Sequence, residues 1–229
     1  LIIRSSRVLS KYFRCGDTSN GERDIHGLLD IYSPTIKLSE EFISKGKEEL
    51  KKIGIPESAK IVCLIARDKA YLRKIYKVDA AQHNYRDVDI NDFIPAAEEL
   101  TKHGYYVLRM GSVVSKSMNV KNKFIIDYAY DGHRTDFLDI YLGATCEFCI
   151  TTSLGFDNIP MIFRRPNLYI NHAPLFWLRL ERKDNIEVPA IYYSNKLRKY
   201  LTLSDTFKDN ISDILRSEIF NEKNITIIQ

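Results

Sequence analysis

The sequence predicts an α/β fold, a Rossmann-like parallel sheet flanked by helices. Apolar runs of strand length alternate along the chain with segments of helical periodicity. The apolar runs are continuous, which is typical of strands buried on both faces of a parallel sheet. Glycines follow the helical segments, where a left-handed residue commonly ends a helix. Together these observations favour strand–helix–strand units.

The elements are predicted from local signals, taken in chain order. Ser39 is a predicted N-cap and Gly54 a predicted terminating residue, and together they bound the first helix. The remaining predicted elements are a strand over 60–66, a helix from 91 or 92 to 104, a strand over 105–110, a short strand or turn in 123–129, a helix over 136–144, a strand over 146–152, two short strands over 161–166 and 167–171, and one amphipathic helix in 201–220. For that last helix, Ser204 is the predicted N-cap, and the predicted apolar stripe is Phe207, Ile211, Ile214 and Leu215.

The chain has no internal repeat and no flexible linker, which favours one domain over 1–229. Within it we expect an N-terminal extension (1–38), a core (39–203) and a C-terminal helix and tail (204–229). The sequence begins without Met and without a signal peptide. The simplest interpretation is a piece of a longer protein, whose missing N-terminal domain would carry half of an active site.

Composition excludes several classes of protein. With 229 residues, 45% hydrophobic and 28% charged, the chain is neither disordered nor fibrous. No apolar run reaches the roughly 18 residues that cross a bilayer. The net charge of +4 without a dense Lys/Arg block argues against a nucleic-acid partner. That mild positive charge suits an anionic small molecule or an acidic membrane face as a ligand. It also fits many interpretations in which the charge has no functional role.

The four cysteines are predicted to be small core side chains of a protein in a reducing, cytoplasmic compartment. Cys146 and Cys149 are placed in one strand, where positions i and i+3 point to opposite faces, so no metal site is expected. Asp136 and Asp139 are interpreted as solvated residues on a polar helix face.

Ligands of parallel α/β sheets bind at the carboxyl ends of the strands. Arg67 follows the first predicted strand, and a guanidinium there can bind a phosphate. The alternative is a surface arginine paired with Asp68. After the strand over 105–110, Arg109 needs an anionic partner and is predicted to be a phosphate ligand, the alternative being an ion pair with an internal carboxylate. Gly111 permits close approach of the backbone to that ligand.

The segment 83–90 is the most polar candidate before a helix. His83 is a candidate base or phosphate ligand, and Arg86 is a second candidate cation. The alternative is a polar loop whose aspartate caps the following helix.

A third candidate segment, 151–157, follows the strand over 146–152. Hydroxyls and free N–H groups at a helix start can bind an anion, here from Thr151, Thr152, Ser153 and Gly155. The alternative is N-capping by Ser153 or Thr152. Asp157 is predicted to orient this loop or to bind a ribose.

Two long segments resemble a known family. HNYRDVDINDFIPAAEELTKHGYYVLRMG and DFLDIYLGATCEFCITTSLGFDNIPMIFRRP are similar to bacterial glycosyltransferases encoded among surface-polysaccharide genes, and the similarity runs from about residue 22 to about residue 205. The resemblance implies the C-terminal, nucleotide-sugar-binding half of a GT-B-type enzyme, more distantly similar to fucosyltransferases.

That resemblance also assigns roles. The early arginine motif of fucosyltransferases corresponds to Arg67, or to His83 and Arg86, and the late Ser/Thr loop corresponds to 151–155. The family commonly carries Ser-x-Gly-x-Gly where this chain reads Thr152-Ser153-Leu154-Gly155. Leu154 replaces a glycine of that pattern, and leucine allows the loop fewer backbone conformations than glycine does.

The implied activity is metal-independent sugar transfer from a nucleotide sugar to a glycan acceptor, with no cofactor, at the inner face of the membrane. The alternative is a non-catalytic nucleotide- or glycan-binding scaffold in polysaccharide assembly.

Overall fold

A six-stranded sheet, parallel throughout, forms the centre of the protein. The structure is a computed structural model that describes residue 24 and residues 26–77, 81–179 and 181–228. The strands are β1 (Lys60–Ile65), β2 (Tyr105–Arg109), β3 (Ile125–Ile126), β4 (Phe148–Thr151), β5 (Asn167–His172) and β6 (Ile186–Pro189). Their order, β3-β2-β1-β4-β5-β6, is the 3-2-1-4-5-6 arrangement of a doubly wound Rossmann sheet. The predicted α/β fold is therefore confirmed.

Helices cover both faces of this sheet. The α-helices are α1 (Leu28–Ile31), α2 (Glu40–Lys52), α3 (Ile94–Lys102), α4 (Asp136–Thr145), α5 (Asn158–Ile162), α6 (Leu203–Lys208) and α7 (Ser217–Glu222). Cys63 of β1 packs in a core with α2 and α4, whereas Val62 and Leu64 pack in a second core with α3. Alternate residues of β1 thus enter opposite cores, which explains why its sequence is a continuous apolar run.

Local signals place the ends of the first long helix as predicted. The Ser39 hydroxyl accepts a hydrogen bond from the Phe42 N–H at 3.1 Å, and α2 begins at the next residue. Gly54 follows the helix with φ +80°, a left-handed conformation that glycine adopts without strain. Gly46 lets α2 approach α4, because a Cβ there would lie 2.2 Å from the Tyr141 ring.

The cysteines behave as predicted in one respect and differently in another. Cys63, Cys146 and Cys149 are fully buried and free, as expected of core side chains. The prediction that Cys146 and Cys149 point to opposite faces is wrong: Cys146 caps α4, β4 begins only at Phe148, and both thiols enter the same core. Cys15 and residues 1–23 of the predicted extension lie outside the described residues.

The predicted strand over 161–166 is wrong. Residues 158–162 form α5 instead, which continues a short 3₁₀ turn over Gly155–Asp157. Arg164 then turns the chain with φ +60°, and the Arg165 N–H donates to the Pro160 carbonyl at 2.8 Å. This turn returns the chain directly to β5.

The C-terminal part forms a second, antiparallel sheet of β7 (Ile191–Ser194), β8 (Lys199–Tyr200) and β9 (Ile225–Ile228), in the order β8-β7-β9. The single predicted helix of 201–220 is wrong, because Asn210 turns the chain with φ +51° between α6 and α7. Thr202, rather than Ser204, caps α6 by accepting from the Asp205 N–H at 3.2 Å. Ile211 and Ile214 are buried, whereas the predicted stripe residues Phe207 and Leu215 are exposed. Across the described ranges, no helix is long and apolar enough to cross a membrane.

Candidate functional site

The site lies between β1 and β4, where the order of the sheet reverses. The loops that leave these neighbouring strands diverge, and such switch points open a crevice for ligands. The backbone N–H of Arg67, after β1, donates to Thr152 Oγ1, after β4, at 2.9 Å. Two segments that the sequence singled out separately are therefore in contact.

Two arginines stand together at this switch point. Arg86 Nη2 donates to the Ser153 carbonyl at 2.6 Å, and Arg67 Nε lies 3.2 Å from Asp87 Oδ1. The sequence offered Asp68 as the alternative partner of Arg67, but the observed partner is Asp87. Burial, and then the neighbouring charge of Arg67, lowers the pKa of Arg86. Asp87 pairs with Arg67, whereas Arg86 is hydrogen-bonded to a carbonyl oxygen, and the charges of Asp157 and Asp87 act on it from a distance.

The loop after β4 is braced from behind by buried side chains. Thr151 Oγ1 donates to Asp157 Oδ2 at 3.0 Å and accepts from the Ser153 N–H at 3.1 Å. Asp157 Oδ2 also accepts from the Leu154 N–H at 2.7 Å. Since Thr151, Thr152 and Asp157 are 3% exposed or less, they hold the loop and offer almost no surface to a ligand. The role of loop-orienting residue predicted for Asp157 matches this geometry.

Ser153 occupies an unusual backbone position in that loop. Its φ is +62°, a left-handed conformation that costs a non-glycine residue free energy. The turn presents its carbonyl to Arg86 and leaves Gly155 exposed, with nothing within 4 Å of where a Cβ would lie. Ser153 and Gly155 are therefore the accessible members of the predicted hydroxyl loop. Neither Ser153 nor Thr152 is the N-cap that the sequence offered as the alternative, because Leu154 takes that position.

Behind the loop lies a buried polar cluster. Burial raises the pKa of Asp157, whose Oδ1 has no partner among the described residues. His172 Nδ1 and Glu187 Oε2 are 2.8 Å apart, and both side chains are buried. Asn167 Nδ2 donates to the Asp157 carbonyl at 3.2 Å and so connects β5 to the loop.

His83 lies in a 3₁₀ helix, Ala81–Arg86, beside the arginines. Burial, followed by the charges of Arg67 and Arg86, lowers the pKa of His83 below its ordinary value. The imidazole is therefore neutral at neutral pH, the form in which it can accept a proton. Asp89 caps the next 3₁₀ turn by accepting from the Asn91 N–H at 2.9 Å, so the capping alternative for this segment also holds.

Arg109 has an internal partner. Its Nη1 donates to Asp127 Oδ1 at 3.1 Å and to the Lys116 carbonyl at 2.6 Å, and the side chain is 3% exposed. Asp127 Oδ2 also accepts from the Met118 N–H at 2.6 Å. Of the two roles that the sequence left open, the structure shows the internal ion pair, which holds the loop between β2 and β3.

A cleft of about 440 Å³ adjoins Arg67. Its lining includes Arg67 from the loop after β1, Gly111 from the loop after β2 and Gly155 from the loop after β4. Gly111 has φ +147°, and a Cβ there would lie 2.9 Å from Val114 Cγ1, so the turn beside the cleft requires glycine. Three strand ends that the sequence singled out separately therefore line one cavity.

Sequence reasoning missed one wall of this cleft. Asp139 accepts from Arg134 Nε at 3.0 Å, lies 2.7 Å from Arg134 Nη2, and lines the cleft with it. The interpretation of Asp139 as solvated is wrong, since its side chain is 16% exposed, whereas Asp136 is exposed as expected. A basic residue placed directly before the Thr135 N-cap of α4 was the available signal. Within the described part of the chain, no three His, Cys, Asp or Glu side chains are grouped to hold a metal ion.

Comparison with known proteins found no matching family model, no matching curated protein and no matching solved structure. Assignment of a function therefore depends on the fold and on the residues of the crevice.

Proposed function

We propose that this chain is the donor-binding domain of a metal-independent glycosyltransferase that uses a nucleotide sugar. One observation carries the proposal: Arg67 and Arg86 lie together at the switch point of a Rossmann sheet, and Arg86 is hydrogen-bonded to the Ser153 carbonyl rather than to a carboxylate. A diphosphate is a ligand that two neighbouring guanidiniums bind. The resemblance of segments 83–111 and 136–166 to glycosyltransferases supports the same ligand class.

In this proposal the arginines stabilise the departing diphosphate. The bond between the anomeric carbon and the diphosphate oxygen breaks, and its electron pair leaves on the diphosphate, beside Arg67 and Arg86. The acceptor hydroxyl oxygen forms the new glycosidic bond, and its proton passes to an imidazole nitrogen of neutral His83. Charge stabilisation of a leaving group is commonly the largest catalytic contribution, and guanidiniums supply it without a metal ion.

The proposed acceptor is a glycan of a bacterial surface polysaccharide, at the cytoplasmic face of the membrane. The acceptor and its location are proposed from the resemblance. The same resemblance implies a second domain that binds the acceptor. The braced loop of Ser153 and Gly155, which Arg86 contacts, would lie against the diphosphate oxygens beside the arginines.

Isothermal titration with UDP, GDP, CMP and their sugar conjugates tests the donor site. We expect one nucleotide to bind the wild type, and Arg86→Ala to lose about tenfold to a hundredfold in affinity, since hydrogen bonds to charged groups contribute about 1.5–3 kcal/mol. Lys102→Ala, which removes an exposed cation from α3, is the matched control and should bind like the wild type. Equal affinity of Arg86→Ala and the wild type, or binding of no nucleotide, would contradict the proposal.

The second candidate is a nucleotide- or glycan-binding scaffold without turnover. One observation favours it: the two arginines that attract a phosphate also lower the pKa of His83, and so weaken the candidate base. Release of free nucleoside diphosphate from a bound nucleotide sugar in the presence of glycan acceptors separates the candidates. Binding without release would favour the scaffold.

A further inference from the structure

The loop after β4 has a second brace, which comes from the segment between β5 and β6. Arg179 Nη2 donates to Asn158 Oδ1 at 3.1 Å, and Asn158 Nδ2 donates to the Gly155 carbonyl at 3.1 Å. Gly155 lines the cleft, whereas Arg179 is not among the described residues of its lining. Arg179 is therefore connected to the cleft through other residues.

The charge of Arg179 also acts on Asp157, the first brace of the loop. Burial raises the pKa of the Asp157 carboxyl, and the Leu154 N–H and then the Arg179 guanidinium oppose that rise. Asp157 Oδ2 accepts from the Leu154 N–H at 2.7 Å and from the Thr151 hydroxyl at 3.0 Å. Hydrogen bonds to an ionised carboxylate are stronger than those to a neutral one. Arg179 thus favours the form of Asp157 that holds the loop more tightly.

Arg179 is itself held in place by buried carboxylates. Its Nε lies 3.0 Å from Glu181 Oε1, and its backbone N–H donates to Glu187 Oε1. The other oxygen of Glu187 lies 2.8 Å from His172 Nδ1. The side chains of Glu181 and Glu187 are each 5% exposed, so moving the guanidinium away would leave buried negative charge without a partner. The position of Arg179 is therefore fixed by the framework of β5 and β6.

We propose that Arg179 is a positioning residue of the donor site, which acts through Asn158 and Asp157 to hold the loop from Ser153 to Gly155. This inference rests on the proposed function, because it takes that loop to contact the diphosphate. Its structural part, the holding of the loop, is a property of the protein without ligand and can be measured separately.

Amide hydrogen exchange of the free protein, followed by NMR at Ser153 and Leu154, measures how firmly the loop is held. Arg179→Met keeps the length of the side chain and removes the guanidinium. We expect these two amides to exchange about threefold to tenfold faster in that variant, the range that corresponds to the loss of one hydrogen bond. Arg165→Met is the matched control. It also removes a partly buried arginine, one whose Nε donates to the Ala144 carbonyl at 3.0 Å, and it should leave both amides unchanged.

Two further variants test the route. Asn158→Leu interrupts the connection to Gly155 and leaves the carboxylates around Arg179 in place, so it should also speed exchange of the Leu154 amide. Combined with Arg179→Met, it should add nothing, because residues that act in one line have non-additive effects. Arg179→Lys keeps the cation and one donor and should restore part of the protection.

Isothermal titration with UDP, GDP and inorganic pyrophosphate connects the loop to binding. We expect Arg179→Met to bind several-fold more weakly than the wild type whichever of these probes binds, and Arg165→Met to bind like the wild type. A loss of overall stability shared by both variants would not produce this difference.

The outcomes separate the inference from the proposed function. Equal loop exchange in Arg179→Met and Arg165→Met overturns the inference, as do independent effects of Arg179→Met and Asn158→Leu, or unchanged affinity in Arg179→Met. If Arg179→Met does not fold, unchanged exchange in Asn158→Leu overturns it. If no probe binds the wild type, the proposed function fails and Arg179 has no donor site to position, while the exchange rates still decide whether it holds the loop.

Discussion

The N–H of Arg67 donates to Thr152 Oγ1 at 2.9 Å, across 85 residues of sequence. This bond joins residues just beyond the ends of two neighbouring parallel strands at the point where the sheet order reverses. Thr152 is 3% exposed, so its hydroxyl serves the protein rather than a ligand. The bond fixes the backbone that carries the Arg67 guanidinium, and it makes the geometry of the crevice depend on one buried side chain.

Thr152→Val tests that dependence. Valine matches threonine in shape but leaves the Arg67 N–H without its acceptor, so we expect a loss of about 1–3 kcal/mol in the free energy of unfolding. Urea denaturation measures it. Thr35→Val, at an exposed position before α2, is the control and should change stability by about 0.5 kcal/mol or less. A Thr152→Val protein as stable as this control would show that the bond contributes nothing.

Ser153→Gly should separate stability from binding. Glycine adopts φ +62° without the cost that serine bears, so we expect the free energy of unfolding to rise by about 1 kcal/mol. If the Ser153 hydroxyl contacts a phosphate, nucleotide affinity should fall in the same variant. Thermal denaturation and isothermal titration measure the two effects. A fall in both quantities would mean that the hydroxyl supports the fold.

The pKa of His83 should report the neighbouring arginines. Burial and the charges of Arg67 and Arg86 lower the pKa of this imidazole, so an NMR titration should place its midpoint below the ordinary value. Arg86→Gln removes one positive charge and should shift the midpoint upward. Lys102→Gln, which removes an exposed cation elsewhere, should leave it unchanged. An unchanged midpoint in Arg86→Gln would place the imidazole away from the arginine.

A pH dependence of stability should originate at Asp157. Burial raises the pKa of this carboxyl in the folded state, so between the unfolded and folded pKa values the folded protein binds more protons. The contribution of Asp157 to stability is then fully present below the unfolded pKa and is lost as pH rises through the folded pKa. Asp157→Asn lacks this loss, so its stability relative to the wild type should improve from about pH 4 to neutrality. Urea denaturation across that pH range measures the difference, and a constant difference would contradict the assignment.

Local sequence signals were sufficient for much of the fold. The continuous apolar run of 60–66 predicted β1, and Ser39 and Gly54 predicted the limits of α2, because each signal acts through neighbours within a few residues. The rule that ligands bind at strand ends also singled out Arg67, Gly111 and Gly155, which the structure places around one cavity.

Local signals failed where two patterns compete over a short span. Residues 161–166 are apolar enough for a strand, but the turn begun at Asp157 continues through them as helix. In 201–220, Ile211 and Ile214 are buried against the second sheet, but they lie between α6 and α7 and not on a helix, because the turn at Asn210 divides the segment.

The sequence by itself determined the α/β class, the positions of most strands and helices, and which strand ends carry polar residues. The tertiary structure alone decided which of those residues line the cleft. Arg109 forms a buried ion pair with Asp127. The hydroxyls of Thr151 and Thr152 hold the loops at the strand ends, and Asp139 lines the cleft. The physical reason is that a charged or hydroxyl group takes the nearest partner in space, and the packing of elements distant in sequence decides which partner is nearest.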